Sequence, residues 1–226
     1  MSHPKFPPTE PAEEAALEVA VGRPVRRLQL ELEQLDQTWS RPPTAEEVAA
    51  GRVMSDEDVR SWGISRAQGL VLYGLLRTLR PRRVLELGGS FGYSTTWLTA
   101  GAAAGGGAVV SLEDDATKLP TLKRVQALFG GRLQIRPGDI GTSLEAADAK
   151  FDFVFIDAAP QQYAALAARI SAVLEPGATV VVDNAVSPPN LVAHVLQIAQ
   201  LLPLEDVWTL PLGHGMMIGR YSGEGT

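Results

Sequence analysis

The stretch Val84-Leu85-Glu86-Leu87-Gly88-Gly89-Ser90-Phe91-Gly92-Tyr93-Ser94 decides the fold. A short apolar run ends in an acidic residue, turns through three glycines and continues at helical spacing. Glycines at a strand-to-helix turn let the backbone bend sharply and come close to a ligand. The spacing is Glu-x-Gly-x-x-x-Gly, which differs from the dinucleotide pattern Gly-x-Gly-x-x-Gly. Glu113 follows Gly88 by 25 residues and ends the next apolar run. A carboxylate there can accept both hydroxyls of a ribose. The residues also allow the plainer reading that the glycines only make a tight turn.

Outward from this loop the pattern alternates. Strands are expected at 83–87, 108–112, 132–136, 151–156 and 178–183, and helices near 93–103, 115–129, 142–148 and 160–174. Such alternation predicts a doubly wound, mostly parallel α/β sheet of Rossmann-like kind, covered on both faces. A helix at 189–201 and two runs, 204–210 and 215–221, around Pro211-Leu212-Gly213-His214-Gly215 predict a terminal antiparallel hairpin. Upstream, Leu70, Leu72, Tyr73, Leu75, Leu76 and Leu79 predict a helix ending before Pro81. Residues 12–39 read as two short helices interrupted near Pro24, with Leu28, Leu32 and Leu35 on one face. Residues 1–11, with four prolines, read as a disordered or extended arm. Thr44 with Glu47, and Ser55 with Asp58, resemble capping boxes. Two units follow: an N-terminal arm with helices, 1–62, as lid or dimer contact, and a main domain, 63–226.

The net charge is −6, with 20 basic and 26 acidic residues and no polybasic tract, which argues against a nucleic-acid partner. The absence of cysteine excludes disulfides, thiolate metal sites and cysteine nucleophiles. No signal-peptide pattern and no apolar run of about 18 residues is seen, so a cytoplasmic protein without a membrane span is expected.

Asp157 follows the run Phe151–Ile156, and Asp183-Asn184 follow the run ending at Val182. In a parallel sheet both fall on one rim. Two carboxylates and an amide oxygen form a hard ligand set suited to Mg²⁺, Mn²⁺ or Ca²⁺. Acidic residues also commonly end strands as caps, and the residues alone leave both readings open.

The run VLELGGSFGYS resembles the first motif of class I S-adenosylmethionine-dependent methyltransferases. It resembles in particular the catechol and caffeoyl-coenzyme A O-methyltransferase group, whose form is VLELGxxxGYS. GISRAQG (63–69), FIDAAPQQY (155–163) and VVVDNAVSPPNLVAHV (180–195) are similar to further segments of that group. The likeness spans about residues 63 to 220. It implies a methyltransferase fold and methyl transfer from S-adenosylmethionine to a hydroxyl of a small, catechol-like acceptor. It further implies that Glu86, Gly88, Gly92 and Ser94 hold the methionine part of the cofactor. Ile64 and Ser90 would line it, Glu113 would bind the ribose with Asp114 beside it, and Asp139 and Ile140 would lie near the adenine. Asp157 and Ala158 would complete the cofactor site, with Asp157, Asp183 and Asn184 as ligands of a divalent metal. A homodimer is expected, since dimers are common among similar proteins and 12–60 carries apolar faces.

One departure stands out. The group's catalytic lysine lies three residues after the metal aspartate, and here that position is Pro160. No lysine follows Lys150. Either a metal acidifies the hydroxyl unaided, or another group such as His214 takes the proton, or the chain has lost the chemistry and only binds. A methyltransferase acting on another acceptor, such as a tRNA hydroxyl, is the enzymatic alternative. His194 reads as a helical histidine, and Trp62 and Trp208 as core residues rather than walls of an aromatic site.

Overall fold

The structure, a computed structural model, describes residues 5–39, 63–187 and 189–223. Seven strands form one sheet in the order β3-β2-β1-β4-β5-β7-β6. They are β1 (Arg83–Leu87), β2 (Ala108–Glu113), β3 (Leu133–Pro137), β4 (Phe151–Ile156), β5 (Leu174–Asp183), β6 (Leu204–Leu210) and β7 (Met216–Tyr221). The first five run parallel, and β7 pairs antiparallel with both β5 and β6. The helices are α1 (Pro11–Val21), α2 (Arg23–Trp39), α3 (Arg66–Leu79), α4 (Tyr93–Ala103), α5 (Leu119–Phe129), α6 (Ile140–Glu145), α7 (Tyr163–Val173) and α8 (Pro189–Leu201). This is the expected doubly wound sheet with its terminal hairpin.

The all-apolar strands owe their composition to burial on both faces. Val84, Phe153, Phe155 and Val181 face a core shared with α1, α2, α3 and α4, whereas Leu85, Val154, Ile156 and Val180 face α7 and α8. Trp97 is fully buried at the centre of the first core, edge-on to Tyr73 and Tyr93. Gly69 of α3 makes room for it, because a Cβ at that position would overlap the indole.

The elements differ from expectation in several places. Of the two readings of the arm, residues 5–10 follow the extended one, but Phe6 is buried edge-on against Tyr93 at 5.3 Å. The helices after it break at Gly22 (φ +89), and the second is 17 residues long because Pro24 sits in its first turn, where proline costs no hydrogen bond. Their apolar faces are not exposed, since Leu17, Val21, Val25, Leu28 and Leu32 pack into the chain's own core. α5 starts at Leu119 because Asp115 first makes a turn with Thr117. β5 begins four residues early and regains register through an irregularity beside Phe151. Trp208 is half exposed, because β6 is the sheet's edge. The capping pairs at 44/47 and 55/58, and Trp62, lie outside the described residues. No helix among the described residues is long and apolar enough to cross a membrane.

Candidate functional site

The strand order reverses between β1 and β4, so the crevice beyond their carboxyl ends is where such a sheet binds ligands. Gly88 (φ +91) closes this point. A Cβ there would overlap the carbonyl of Asp157 and crowd Ala158, so the loops after β1 and β4 touch backbone to backbone. Asp157 N–H continues the ladder to Leu87 O at 2.9 Å.

Glu86 is fully buried. It accepts hydrogen bonds from Ser94 Oγ and Thr95 Oγ1, both at 2.6 Å, and so fixes the first turn of α4 under the glycine loop. Burial pushes its pKa up, against those hydroxyls. Glu113 accepts from Ser90 N–H at 2.6 Å and Asp115 N–H at 2.8 Å. Each carboxylate oxygen keeps a second lone pair for a diol. Burial also raises Glu113. Asp114, next to it, is exposed. Asp139 caps α6 through Thr142 N–H at 2.7 Å, while the Ile140 side chain lies in the second core. Ile64 is likewise buried, in the first core. Gly92 (φ +93) begins α4 directly against Val125.

Asp157, Asp183 and Asn184 meet at the ends of the adjacent strands β4 and β5. Asn184 takes a left-handed conformation (φ 64), which turns its amide to 3.5 Å from Asp157 Oδ1. Burial, then the charges of Asp183 and Glu86, hold the pKa of Asp157 well above the usual range. Burial pushes Asp183 up to about 7, although Asn184 N–H and Gln68 favour its ionised form. Gln68 Nε2 donates to Asp183 Oδ1 at 2.5 Å. Among the described residues no three His, Cys, Asp or Glu side chains form a metal cage. The donor set is instead two carboxylates and an amide. It suits a hard divalent cation: two buried like charges disfavour each other unless a cation joins them. The buried Tyr163 hydroxyl has no hydrogen-bond partner among the described residues, and burial, then the charges of Asp157 and Asp183, raises its pKa well above the usual value.

His214 sits in the β6–β7 loop, where Nδ1 lies 3.1 Å from Ser187 Oγ. Partial desolvation, then the charge of Lys5, lowers its pKa below the ordinary histidine value. His214 O accepts from Val186 N–H at 2.8 Å, which ties this loop to the segment after Asn184. His194 is half-buried on α8. Pro160 opens a short 3₁₀ turn (Pro160–Gln162) before α7.

The sequence reading missed two features. Ser65 and Gln68 form a full capping box at the start of α3, and the same Gln68 reaches Asp183. The S-x-x-Q spacing was a signal for the first; nothing local signals the second. A buried network also joins the N-terminal helices to the site. Glu33 accepts from Arg66 Nη2 at 2.5 Å, Arg26 Nη1 at 2.8 Å and Tyr93 Oη at 2.8 Å.

Residues 85–185 match a family model described as a methyltransferase domain. The chain is 29% identical over 185 residues to the "Putative O-methyltransferase" of Mycolicibacterium vanbaalenii, covering 75% of this chain and 81% of that protein. It is 34% identical over 134 residues to the catechol O-methyltransferase of Mycobacterium tuberculosis, covering 58% of this chain and 60% of that one. The crystal structure of the O-methyltransferase from Bacillus cereus in complex with SAH superposes with a TM-score of 0.63 at 25% identity, covering 83% of this chain and 97% of that one.

Proposed function

We propose that this chain, which belongs to the class I S-adenosylmethionine-dependent O-methyltransferases, methylates a hydroxyl of a small, catechol-like acceptor beside a divalent cation held by Asp157, Asp183 and Asn184. The observation that carries the reading is the meeting of Asp157 and Asn184, 3.5 Å apart, with Asp183 at the ends of the adjacent strands β4 and β5, beside the point where the loops after β1 and β4 touch.

In this reading Glu113 holds the ribose, with Ser90 and Asp114 beside it, and Gly88, Gly92 and the Ser94-pinned turn over Glu86 cradle the methionine part. Asp139 and Ala158 complete the walls, and Ile64 and Ile140, whose side chains lie in the cores, back them from within. The buried Glu86, Glu113 and Asp183 and the half-buried Asp157 all have raised pKa values, and such a group of carboxylates favours a cationic sulfonium ligand. When bound, a divalent cation would acidify a coordinated hydroxyl and fix its position. His214 takes the hydroxyl proton, with Ser187 Oγ, 3.1 Å from Nδ1, orienting the ring. The reading keeps a cytoplasmic enzyme. It also keeps a homodimer, for which the faces of α1 and α2 that pack into the chain's own core are not available; light scattering at micromolar concentration decides it.

The test is methyl transfer from labelled S-adenosylmethionine to catechol, with Mg²⁺ or with a chelator. Turnover that needs Mg²⁺ and is lost in Asp157→Ala and Asp183→Ala, with the fold kept, supports the reading. Full turnover in chelator overturns the metal role.

A further inference from the structure

The first turn of α4 is gripped by polar side chains of α2. Gln29 and Glu33 stand one helical turn apart on α2, and Tyr93 and Thr96 stand one turn apart on α4. Gln29 Nε2 donates to Thr96 Oγ1 at 2.9 Å, and Tyr93 Oη donates to Glu33 Oε1 at 2.8 Å. Thr96 Oγ1 in turn donates to Tyr93 O at 2.7 Å. Both lines therefore end on Tyr93, one at its carbonyl and one at its hydroxyl. Arg26 backs both, through Glu33 Oε1 at 2.8 Å and Gln29 Oε1 at 3.5 Å. Arg26, Gln29, Glu33, Tyr93 and Thr96 are all buried. The arm adds to the same grip: Phe6 lies edge-on to the Tyr93 ring, and Arg66, which holds Glu33, donates from Nη1 to Pro7 O at 2.7 Å.

Tyr93 stands where the glycine loop becomes a helix. It follows Gly92 (φ +93), whose N–H donates to Gly89 O at 2.8 Å, and it precedes Ser94 and Thr95, whose hydroxyls are fixed by Glu86 of β1. The turn is thus held from the sheet by one carboxylate and from α2 by two side chains. Apolar packing is non-directional and tolerates small sliding of one helix on another. Buried hydrogen bonds do not, because a shift leaves polar groups unpaired away from water.

We propose that Gln29 and Glu33 are positioning residues for the cofactor: the docking of residues 5–39 sets the height and rotation of the glycine loop, and cofactor binding in turn tightens that docking. This rests on the cofactor placement given above, and on neither the metal nor the acceptor. α2 makes no bond to the cofactor in this arrangement; it acts through Tyr93 and Thr96. Coupling between two such places is reciprocal, and typically changes an affinity by about 5–150-fold.

The experiment uses the full chain and S-adenosylhomocysteine, without metal or acceptor, and reads affinity by calorimetry. Tyr93→Phe removes one hydroxyl and keeps the ring against Phe6; Gln29→Leu removes the amide. Each is expected to weaken binding about fivefold or more. Val173→Ala, in the second core on α7, lowers stability without touching the grip and is expected to keep the wild-type affinity. Hydrogen exchange read by mass spectrometry follows the reverse direction. S-adenosylhomocysteine is expected to slow exchange in peptides covering residues 23–39 of the wild type, and to slow it less in Tyr93→Phe. Wild-type affinity in both grip variants overturns the proposal. So does exchange in 23–39 that the ligand leaves unchanged, or a loss of affinity in Val173→Ala as large as theirs. If Gln29→Leu does not fold, Tyr93→Phe and the wild-type exchange decide. A wild type that does not bind S-adenosylhomocysteine brings down the cofactor site and this proposal together, whereas a wild type that binds, with unshifted variants, brings down this proposal alone.

Discussion

Gln68 and Asp183 are 115 residues apart in sequence, and the Gln68 side-chain amide donates to the Asp183 carboxylate at 2.5 Å. One side chain thus caps α3, abuts the hairpin loop and sets a carboxylate of the rim. Partners of this kind orient ligating groups, and their loss typically costs about 10–100-fold in metal affinity or activity. Gln68→Leu is expected to lower kcat for catechol within that range while S-adenosylhomocysteine affinity stays within about twofold. Steady-state kinetics with calorimetry on the same preparation checks this split. An equal loss in both would assign Gln68 a purely structural role.

Glu33 lies between the guanidinium groups of Arg26 and Arg66, both buried. Breaking a buried ion pair by removing one partner costs about 3–5 kcal/mol, because the other charge is stranded. Glu33→Ala is expected to lose stability in that range in urea unfolding. Its effect on cofactor binding should follow, since Tyr93 at the start of α4 also bonds Glu33.

The same residue sets an acid limb. Burial pushes Glu33 up, but hydrogen bonds from Arg66, Arg26 and Tyr93 outweigh it and hold its pKa below the ordinary glutamate value. Glu14 is also lowered, first by its hydrogen bond from Arg26. A depressed carboxyl pKa contributes stability that is present above the unfolded value and lost as pH falls through the folded value. Urea midpoints measured from pH 7 down to pH 3 should therefore fall more steeply in the wild type than in Glu33→Gln.

Gly88 and Gly177 separate strain from collision. Both have positive φ, +91 and +84, but an added Cβ meets the Asp157 backbone at Gly88 and open space at Gly177. Left-handed backbone costs a non-glycine residue about 1–2 kcal/mol. Gly177→Ala is expected to lose only about that amount and keep activity. Gly88→Ala should lose cofactor binding altogether, as read by calorimetry.

Glu113→Ala is expected to weaken S-adenosylmethionine binding by about 1.5–3 kcal/mol, the range for hydrogen bonds to a charged group. Unchanged affinity would show that the ribose lies elsewhere.

The parallel strands were legible because burial on both faces forces continuous apolar runs, and the rim followed, since Asp157 and Asp183 end such runs. The glycine loop was legible for the same reason: positive φ at Gly88 and Gly92 leaves its mark in residue type. What could not be read were contacts between distant segments. Nothing near Glu33 announces that Arg66 and Tyr93 will meet it, and Phe6 in a proline-rich arm carries no periodicity from which to infer burial. Trp208 was misjudged because a strand's sequence does not say whether it lies at the sheet edge.

The backbones of Gly88 and Asp157–Ala158 meet with no side chain between them. Under the proposed reading this contact is a party wall between methyl donor and acceptor, one that substitution can neither thicken nor thin. Under that reading adaptation to a new acceptor falls to segments outside the sheet, such as residues 185–187 and the 212–215 turn that they hydrogen-bond. Use of the methyl donor is mechanically frozen into the scaffold, while the choice of recipient stays open to tinkering at the periphery.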